Sequence, residues 1–222
     1  MTWSYRNRTE AGTVLRDMLL REVHPVGRLL VLAIPNGGVL VAEPIARGLH
    51  ADLDIMIVRK IQIPFNTEAG FGAIDSLGGV LLNRELLASL HLSEEEVQQA
   101  IERTRRQIEE RRATYGGLVG THTPSGRDVI LVDDGLASGY TMMAAIRSVT
   151  QRRPRSLTVA VPTASSSAYE LVRRAVDRLL CPRIESGWSF AVAEAYELWY
   201  DVSDREVVEV LSRFSLSENG VG

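Results

Sequence analysis

The chain has 222 residues, of which 45% are hydrophobic and 24% charged, as is usual for a globular protein. Its formal net charge of −3 argues against a nucleic-acid-binding protein, which usually carries a basic balance. The single cysteine excludes an internal disulfide, the chain contains no apolar run long enough for a membrane span, and residues 1–6 lack the apolar stretch expected of a signal peptide. We therefore expect a cytoplasmic protein with neither nucleic acid nor a membrane as a partner.

Predicted helices and strands alternate along the chain. In chain order they are helix 9–23, strand 28–34, helix 39–49, strand 53–58, a loop over 62–79 with short extended pieces, a brief strand 80–82, helix 93–115, strand 128–132, helix 140–151, strand 156–161, helix 165–175, strand 178–181 and helix 206–214. The longer strands are apolar throughout, which is typical of a parallel sheet covered on both faces. The expected fold is α/β, a Rossmann-like parallel sheet of about five strands flanked by helices.

The helix over 93–115 begins with a capping box formed by Ser93 and Glu96. One face carries a narrow stripe at alternating four- and three-residue steps, made of Val97, Ile101, Thr104, Ile108 and Tyr115. Such a stripe is either a coiled-coil seam or a contact with the core of the same domain. We favour the second interpretation.

The loop that follows the strand 128–132 carries the most informative chemistry, since ligands of such sheets bind at the carboxyl ends of the strands. Gly135 and Gly139 allow backbone conformations closed to other residues, so successive N–H groups can form an anion-binding nest. Ser138 and Thr141 add hydroxyl donors, and the following helix adds its N-terminal dipole. The loop therefore predicts a phosphate cradle.

Two adjacent carboxylates, Asp133 and Asp134, come directly before this cradle. Such a pair can accept hydrogen bonds from a vicinal diol and help to hold a hydrated magnesium ion. The alternative is a chance strand–loop–helix turn with two solvated acids, which the agreement of motif and context disfavours.

The segment VILVDDGLASGYT, residues 129–141, resembles the motif of type I phosphoribosyltransferases that binds 5-phosphoribosyl-1-pyrophosphate (PRPP). The resemblance implies transfer of the phosphoribosyl group to a nitrogenous acceptor, of which a nucleobase is one candidate, with release of pyrophosphate. It also implies Mg²⁺ held by Asp133 and Asp134, and a second copy of the chain as a candidate partner in a homodimer. The PRPP-binding residues that it implies here are Asp133, Asp134, Gly135, Leu136, Ala137, Ser138, Gly139, Tyr140 and Thr141.

Two further segments extend the resemblance. Asn36, Gly37 and Gly38 stand where the family has its pyrophosphate loop. In the family the backbone amides of this loop bind the leaving group, often through a non-proline cis peptide. A simple turn that opens a helix is the alternative explanation of these residues. Val58-Arg59-Lys60 is similar to the VRK of orotate- and adenine-type members, which implies that Arg59 and Lys60 neutralise pyrophosphate, with surface charges as the alternative. The expected catalytic residues are Asp133, Asp134 and Lys60.

The chain also departs from the family pattern. Ala137 replaces an acid of the 6-oxopurine enzymes, which makes a hypoxanthine or guanine acceptor less expected, and Ile63 replaces a lysine of the orotate and adenine types. Glu68 is either a base toward the nucleophile or, as we favour, a solvated acid. A C-terminal aromatic group either packs a small lobe or faces the acceptor; its members are Trp188, Phe190, Tyr196, Trp199 and Tyr200.

We expect one domain over 1–222, with an insertion over about 61–126 and a C-terminal hood over about 182–214. A non-catalytic sensor of PRPP or nucleotides on the same fold is the alternative function. A sensor that regulates transcription would present a basic face, but glutamates interleave the arginines of the helix 93–115.

Overall fold

Within residues 4–64, 66–186 and 190–218, which the computed structural model describes, the chain forms ten strands, seven α-helices and one 3₁₀ helix. The side chains of 66–69 and 215–218 are not described. In chain order the elements are α1 (Arg8–Glu22), β1 (Leu29–Ala33), α2 (Gly37–Gly48), β2 (Asp52–Ile55), β3 (Val58–Ile63), β4 (Asn66–Asp75), β5 (Val80–Leu82), α3 (Arg84–Leu90), α4 (Glu94–Thr114), β6 (Asp128–Val132), α5 (Tyr140–Gln151), β7 (Ser156–Ala160), β8 (Thr163–Ser165), α6 (Ser166–Arg173), β9 (Arg178–Leu180), β10 (Arg183–Glu185), a 3₁₀ helix (Val192–Ala195) and α7 (Asp204–Glu218).

The central sheet has five parallel strands in the order β2-β1-β6-β7-β9, which confirms the predicted α/β architecture. The strand order reverses between β1 and β6, so the loops after these two strands diverge to opposite faces and leave a crevice at the carboxyl edge. Crevices of this kind are where doubly wound sheets bind their ligands. The fold thus brings the segments after Ala33 and Val132 together.

Alternate residues of each central strand pack against different helix layers, as the two-residue period of a strand requires. Leu29, Val31 and Ala33 of β1 belong to the core that contains α1, α2 and α7, whereas Leu30 and Leu32 pack with α5 and α6. All five residues of β1 and of β6 are buried. Because both faces are covered, these strands are continuous apolar runs, which is why they were predictable.

A three-stranded antiparallel sheet, β3-β4-β5, replaces the loop expected over 62–79. Val58 begins β3 and does not end the second central strand, which is a second correction to the predicted boundaries. Gly70 and Gly72, which suggested turns, are sites of close approach: a Cβ at Gly72 would lie 2.4 Å from the carbonyl oxygen of Leu81. Here the crowding of neighbouring strands, and not a turn, requires glycine.

Helix α4 packs on this small sheet. Its capping box is present, and Ile101, Thr104, Ile108 and Tyr115 are all buried, with Ile108 in the same core as Ile61 of β3. The stripe therefore contacts the domain's own core, as favoured from the sequence, and is not available as a coiled-coil seam. The sequence analysis missed α3 and the parallel pair β8–β10.

Helix α7, the last element of the predicted hood, packs on α2 and β2. Among the helices of the described residues, none combines the length and apolar composition needed to cross a membrane.

Candidate functional site

The turn after β1 touches the acidic loop after β6. A Cβ at Gly37 would lie 1.9 Å from Oδ2 of Asp134, and one at Gly38 would lie 2.9 Å from the carbonyl oxygen of Val132. Only glycine fits at so close an approach. The peptide bond between Pro35 and Asn36, at the start of this turn, is cis, as the family resemblance implied. The two segments selected from the sequence therefore meet at the switch point of the sheet.

The end of the acidic loop exposes hydrogen-bond donors at the start of a helix. Gly139 is the N-cap residue of α5 and has a φ of 76°, a left-handed conformation that favours glycine. The first amides of a helix have no intrahelical acceptor, and no side chain caps those of α5. Ser138, Tyr140 and Thr141 are exposed beside them. This helix start can therefore bind a phosphate.

Gly135 and Leu136 of the same loop fix it to neighbouring segments. Leu136 is 2% exposed, its N–H donates to the carbonyl oxygen of Thr163 over 2.9 Å, and its carbonyl accepts from the N–H of Ser165 over 2.9 Å. A Cβ at Gly135 would lie 2.5 Å from Val192, so the 3₁₀ helix packs directly on the loop. Leu136 is thus a buried part of the loop whose backbone groups have partners, and its expected contact with the ligand stays a prediction.

An arginine from α1 holds the second acid. Nε of Arg8 donates to Oδ2 of Asp134 over 2.8 Å, and another guanidinium nitrogen donates to the carbonyl oxygen of Tyr200 over 2.9 Å. The guanidinium lies 3.9 Å from the ring centroid of Trp199, and Arg8 is only 4% exposed. Sequence reasoning missed Arg8. Its one local signal is a cation in the first turn of a helix, where the helix dipole disfavours positive charge.

The acids differ in their surroundings. Burial and then the adjacent carboxylate of Asp134 raise the pKa of Asp133 well above its ordinary value, whereas Arg8 acts weakly in the opposite direction. One oxygen of Asp133 accepts from the N–H of Asp134 over 2.8 Å. Burial and the neighbouring acid thus disfavour the ionised form of Asp133, and a positive charge nearby would favour it.

The aromatic segment after the 3₁₀ helix completes the wall around the acids. The hydroxyl of Tyr196 donates to the carbonyl oxygen of Asp134 over 2.6 Å, and its ring lies 5.4 Å from that of Trp199. Burial raises the pKa of Tyr196 far above its ordinary value, so the hydroxyl stays a donor. Of this aromatic group Tyr196 is buried, whereas Trp199 and Tyr200 are 39% and 47% exposed; Trp188 lies outside the described residues.

The two cations of the VRK segment are separated by the alternation of β3. Lys60 lines a cleft of about 660 Å³ between the small sheet and α5, together with Ser138 and Thr141. Arg59 lies on the other face of the strand, that of the buried Ile61. Of the two cations expected to bind the ligand, Lys60 is therefore the one that lines this cleft. The side chain of Glu68 is outside the described part of the structure.

The side chain of Asn36 points away from the acids into a polar network that the sequence did not reveal. Its amide nitrogen donates to the carbonyl oxygen of Val202 over 2.7 Å. Its amide oxygen accepts from Arg111 over 2.6 Å and from the hydroxyl of Tyr115 over 2.9 Å. These contacts engage both ends of the side-chain amide, so a binding role for Asn36 would fall to its backbone.

Comparisons with known proteins indicate the family of this chain. The family model described as "Phosphoribosyl transferase domain" matches residues 19–195. The protein named "Putative phosphoribosyl transferase Rv0571c" from Mycobacterium tuberculosis H37Rv is 33% identical over 211 residues, which cover 94% of this chain and 46% of that protein. The chain therefore spans about half the length of the curated relatives it matches.

Solved structures extend the similarity. The crystal structure of TT1426 from Thermus thermophilus has a TM-score of 0.84 and 32% identity, and the alignment covers 95% of this chain and 99% of that one. A purine phosphoribosyltransferase from Pyrococcus horikoshii has a TM-score of 0.50 at 12% identity, covering 91% and 99%, which supports the fold alone. Taken with the family model that spans most of its length, these matches establish that the chain belongs to the type I phosphoribosyltransferase family.

Proposed function

We propose that the protein transfers the phosphoribosyl group of PRPP to a nitrogenous acceptor and releases pyrophosphate. The observation that carries the proposal is the arrangement at the switch point. An uncapped helix start, an acid pair and a glycine turn follow one another there. PRPP presents a phosphate, a vicinal diol and a pyrophosphate in the same sequence along its ribose.

Each segment has one role in this proposal. The amides at the start of α5 and the hydroxyls of Ser138 and Thr141 bind the 5-phosphate. Asp133 and Asp134 accept hydrogen bonds from the ribose diol. The amides of the turn 36–38 bind the pyrophosphate, and Lys60 reaches the ligand from the cleft.

The donor set at the acids fits magnesium. Mg²⁺ in proteins commonly uses one or two carboxylates and completes its octahedron with water and substrate phosphates. Asp133 and Asp134 offer such oxygens, and a bound cation would offset the burial and the neighbouring carboxylate that raise the pKa of Asp133. The described residues contain no cluster of three or more His, Cys, Asp or Glu side chains, so an all-protein cage is not part of the proposal. When bound, the ion would neutralise charge on the pyrophosphate.

The reaction breaks the bond between C1 and the pyrophosphate oxygen and forms a bond between C1 and the acceptor nitrogen. Its oxocarbenium-like transition state resembles that of glycoside hydrolysis. Catalysis then consists of holding the ribose on the acids while fixed donors stabilise the departing anion. Ala137 brings no acid to the acceptor side, which disfavours a 6-oxopurine. A homodimer and a cytoplasmic location stay predictions.

Calorimetric titration of PRPP with Mg²⁺ tests the proposal. The wild-type protein is expected to bind, and Asp133→Asn/Asp134→Asn is expected to lose binding. Asp17→Asn/Glu209→Gln removes two exposed carboxylates from α1 and α7 and serves as the charge-matched control. Pyrophosphate release would then be followed across a panel of nitrogenous acceptors. Absence of PRPP binding to the wild type contradicts the proposal.

A further inference from the structure

Helix α4 ends beside the turn that the proposed function assigns to pyrophosphate. Arg111 lies in its last turn and Tyr115 directly follows it, and both donate to the side-chain oxygen of Asn36. Ile101 and Ile108 of the same helix are buried in the core. Packing of these residues therefore holds the C-terminal end of α4 in place, and this fixes the guanidinium of Arg111 next to the turn.

Arg111 is both restrained and accessible. One of its nitrogens donates to Oδ2 of Asp204 at the start of α7 over 2.8 Å, and its guanidinium lies 5.2 Å from the ring centroid of Tyr115. Its side chain nevertheless stays 28% exposed. A cation held in this way loses little conformational freedom when an anion binds next to it.

We infer that Arg111 recognises the pyrophosphate, by adding positive charge beside the turn and by holding Asn36 in place. This inference rests on the proposed function and extends it to the helix of the insertion. The amides of Gly37 and Gly38 directly follow Asn36, whose side-chain oxygen the guanidinium contacts over 2.6 Å. An anion bound by these amides would be attracted to the guanidinium, and more strongly at a partly buried position than in bulk water. Asp204 balances the same guanidinium, so Asp204 and the anion compete for it.

A purely structural clamp is the competing explanation, and the two make opposite predictions for Asp204. If Arg111 only fixes the turn, Asp204→Asn should weaken pyrophosphate binding as Arg111→Gln does, because the carboxylate of Asp204 holds both Arg111 over 2.8 Å and the amide nitrogen of Asn36 over 3.0 Å. If Arg111 recognises the anion, Asp204→Asn removes a competing charge but keeps an amide that can hydrogen-bond. Pyrophosphate should then bind as tightly as to the wild type, or more tightly.

The experiment titrates inorganic pyrophosphate with Mg²⁺, and separately ribose 5-phosphate, into the full chain. Arg111→Gln is expected to weaken pyrophosphate binding by about tenfold or more, as for loss of a charged hydrogen bond, with ribose 5-phosphate binding unchanged. Arg111→Lys should lose less, because it keeps the charge. Arg103→Gln removes an exposed charge from the same helix and should match the wild type.

Unchanged pyrophosphate binding by Arg111→Gln, or an equal loss by Asp204→Asn, would overturn the inference while leaving the proposed function intact. Thermal unfolding of each variant identifies any loss of pyrophosphate binding that is due to misfolding. If Arg111→Gln misfolds, the pyrophosphate affinity of Arg111→Lys is compared with that of the wild type to test the inference. If the wild type binds neither ligand, the proposed function itself fails, and the inference fails with it.

Discussion

Arg8 and Asp134, 126 residues apart in the sequence, form an ion pair of 2.8 Å at the switch point of the sheet. The pair also touches the glycine turn, because a Cβ at Gly37 would lie 2.9 Å from Nε of Arg8. Arg8 is outside the segment 19–195 that matches the family model. A residue of the first helix thus determines how one of the two proposed ribose-binding acids is oriented.

Replacing Arg8 should impair ligand binding. In Arg8→Gln the carboxylate of Asp134 loses its cation and is free to rotate, so we expect PRPP to bind about tenfold more weakly or worse. Arg8→Lys should restore part of the affinity, since it keeps the charge but not the forked geometry. Calorimetry with PRPP and Mg²⁺ measures both.

Arg21→Gln, at an exposed position of the same helix, is the control for the lost charge. Equal PRPP affinities of Arg8→Gln, Arg21→Gln and the wild type would show that Arg8 does not orient the acid.

A single methyl group at Gly37 should disrupt the site. The Cβ of Gly37→Ala would lie 1.9 Å from Oδ2 of Asp134, so either the carboxylate or the turn must move. We expect PRPP binding to fall below detection in a calorimeter, with the far-UV circular dichroism unchanged.

Gly48→Ala, at the other end of α2, provides the comparison. Its Cβ would meet the side chain of Arg16, 2.1 Å away, which is flexible and can swing aside. If both alanine variants bind PRPP like the wild type, then the contact between the turn and the acid is unimportant for binding.

The central sheet and the loop 133–141 could be predicted because their signals are local. A strand buried on both faces is an apolar run, and the glycines and hydroxyls of the cradle are contiguous. The small sheet could not be predicted, since its Gly70 and Gly72 indicate turns but serve close packing against Lys60 and Leu81. A glycine in the sequence indicates that a larger side chain would not fit, but it does not show whether a turn or a neighbouring strand is the reason.

Arg8, Arg111 and the partners of Asn36 escaped sequence reasoning for a different reason. Arg111 and Asn36 are 75 residues apart, and their contact depends on how α4 packs on β3. Helical periodicity indicates which face is buried, but polar contacts at the end of a helix depend on tertiary docking. The same holds for the VRK segment, because the sequence does not show which of its two cations lies on the face of β3 that lines the cleft.

Asp128 should make stability sensitive to acid without affecting the site. It begins β6 at the opposite edge of the sheet, where it accepts from Arg155 over 3.0 Å and from Ser156 over 2.6 Å. The pKa of Asp128 is lowered from an ordinary 3.8 to about 2, chiefly by the hydrogen bond from Arg155. A carboxyl group whose pKa is lowered by folding stabilises the folded state at pH values above its ordinary pKa. This stabilisation is lost as the pH falls from about 4 toward 2.

The variant Asp128→Asn should therefore be less stable than the wild type at pH 7, by about 2 kcal/mol, with the difference vanishing near pH 2. Urea unfolding at a series of pH values measures this. PRPP binding at pH 7 should be unchanged. A stability difference independent of pH would contradict the assignment of the effect to the ionised carboxylate.

Lys60 and Arg59 form a matched pair of neighbouring cations that differ in the face of β3 they occupy. Lys60 lines the cleft that reaches Ser138 and Thr141, whereas Arg59 lies on the face of Ile61. Lys60→Met should lower the affinity for PRPP several-fold and slow pyrophosphate release with any acceptor that supports turnover, because an anionic ligand loses a cation in a partly enclosed space. Arg59→Met removes the same charge one residue away and should leave both quantities within about twofold of the wild type, since the effect of exposed charges is screened by salt. Equal losses in the two variants would mean that only the overall charge of this strand matters, and a loss confined to Arg59→Met would reverse the assignment of the two faces.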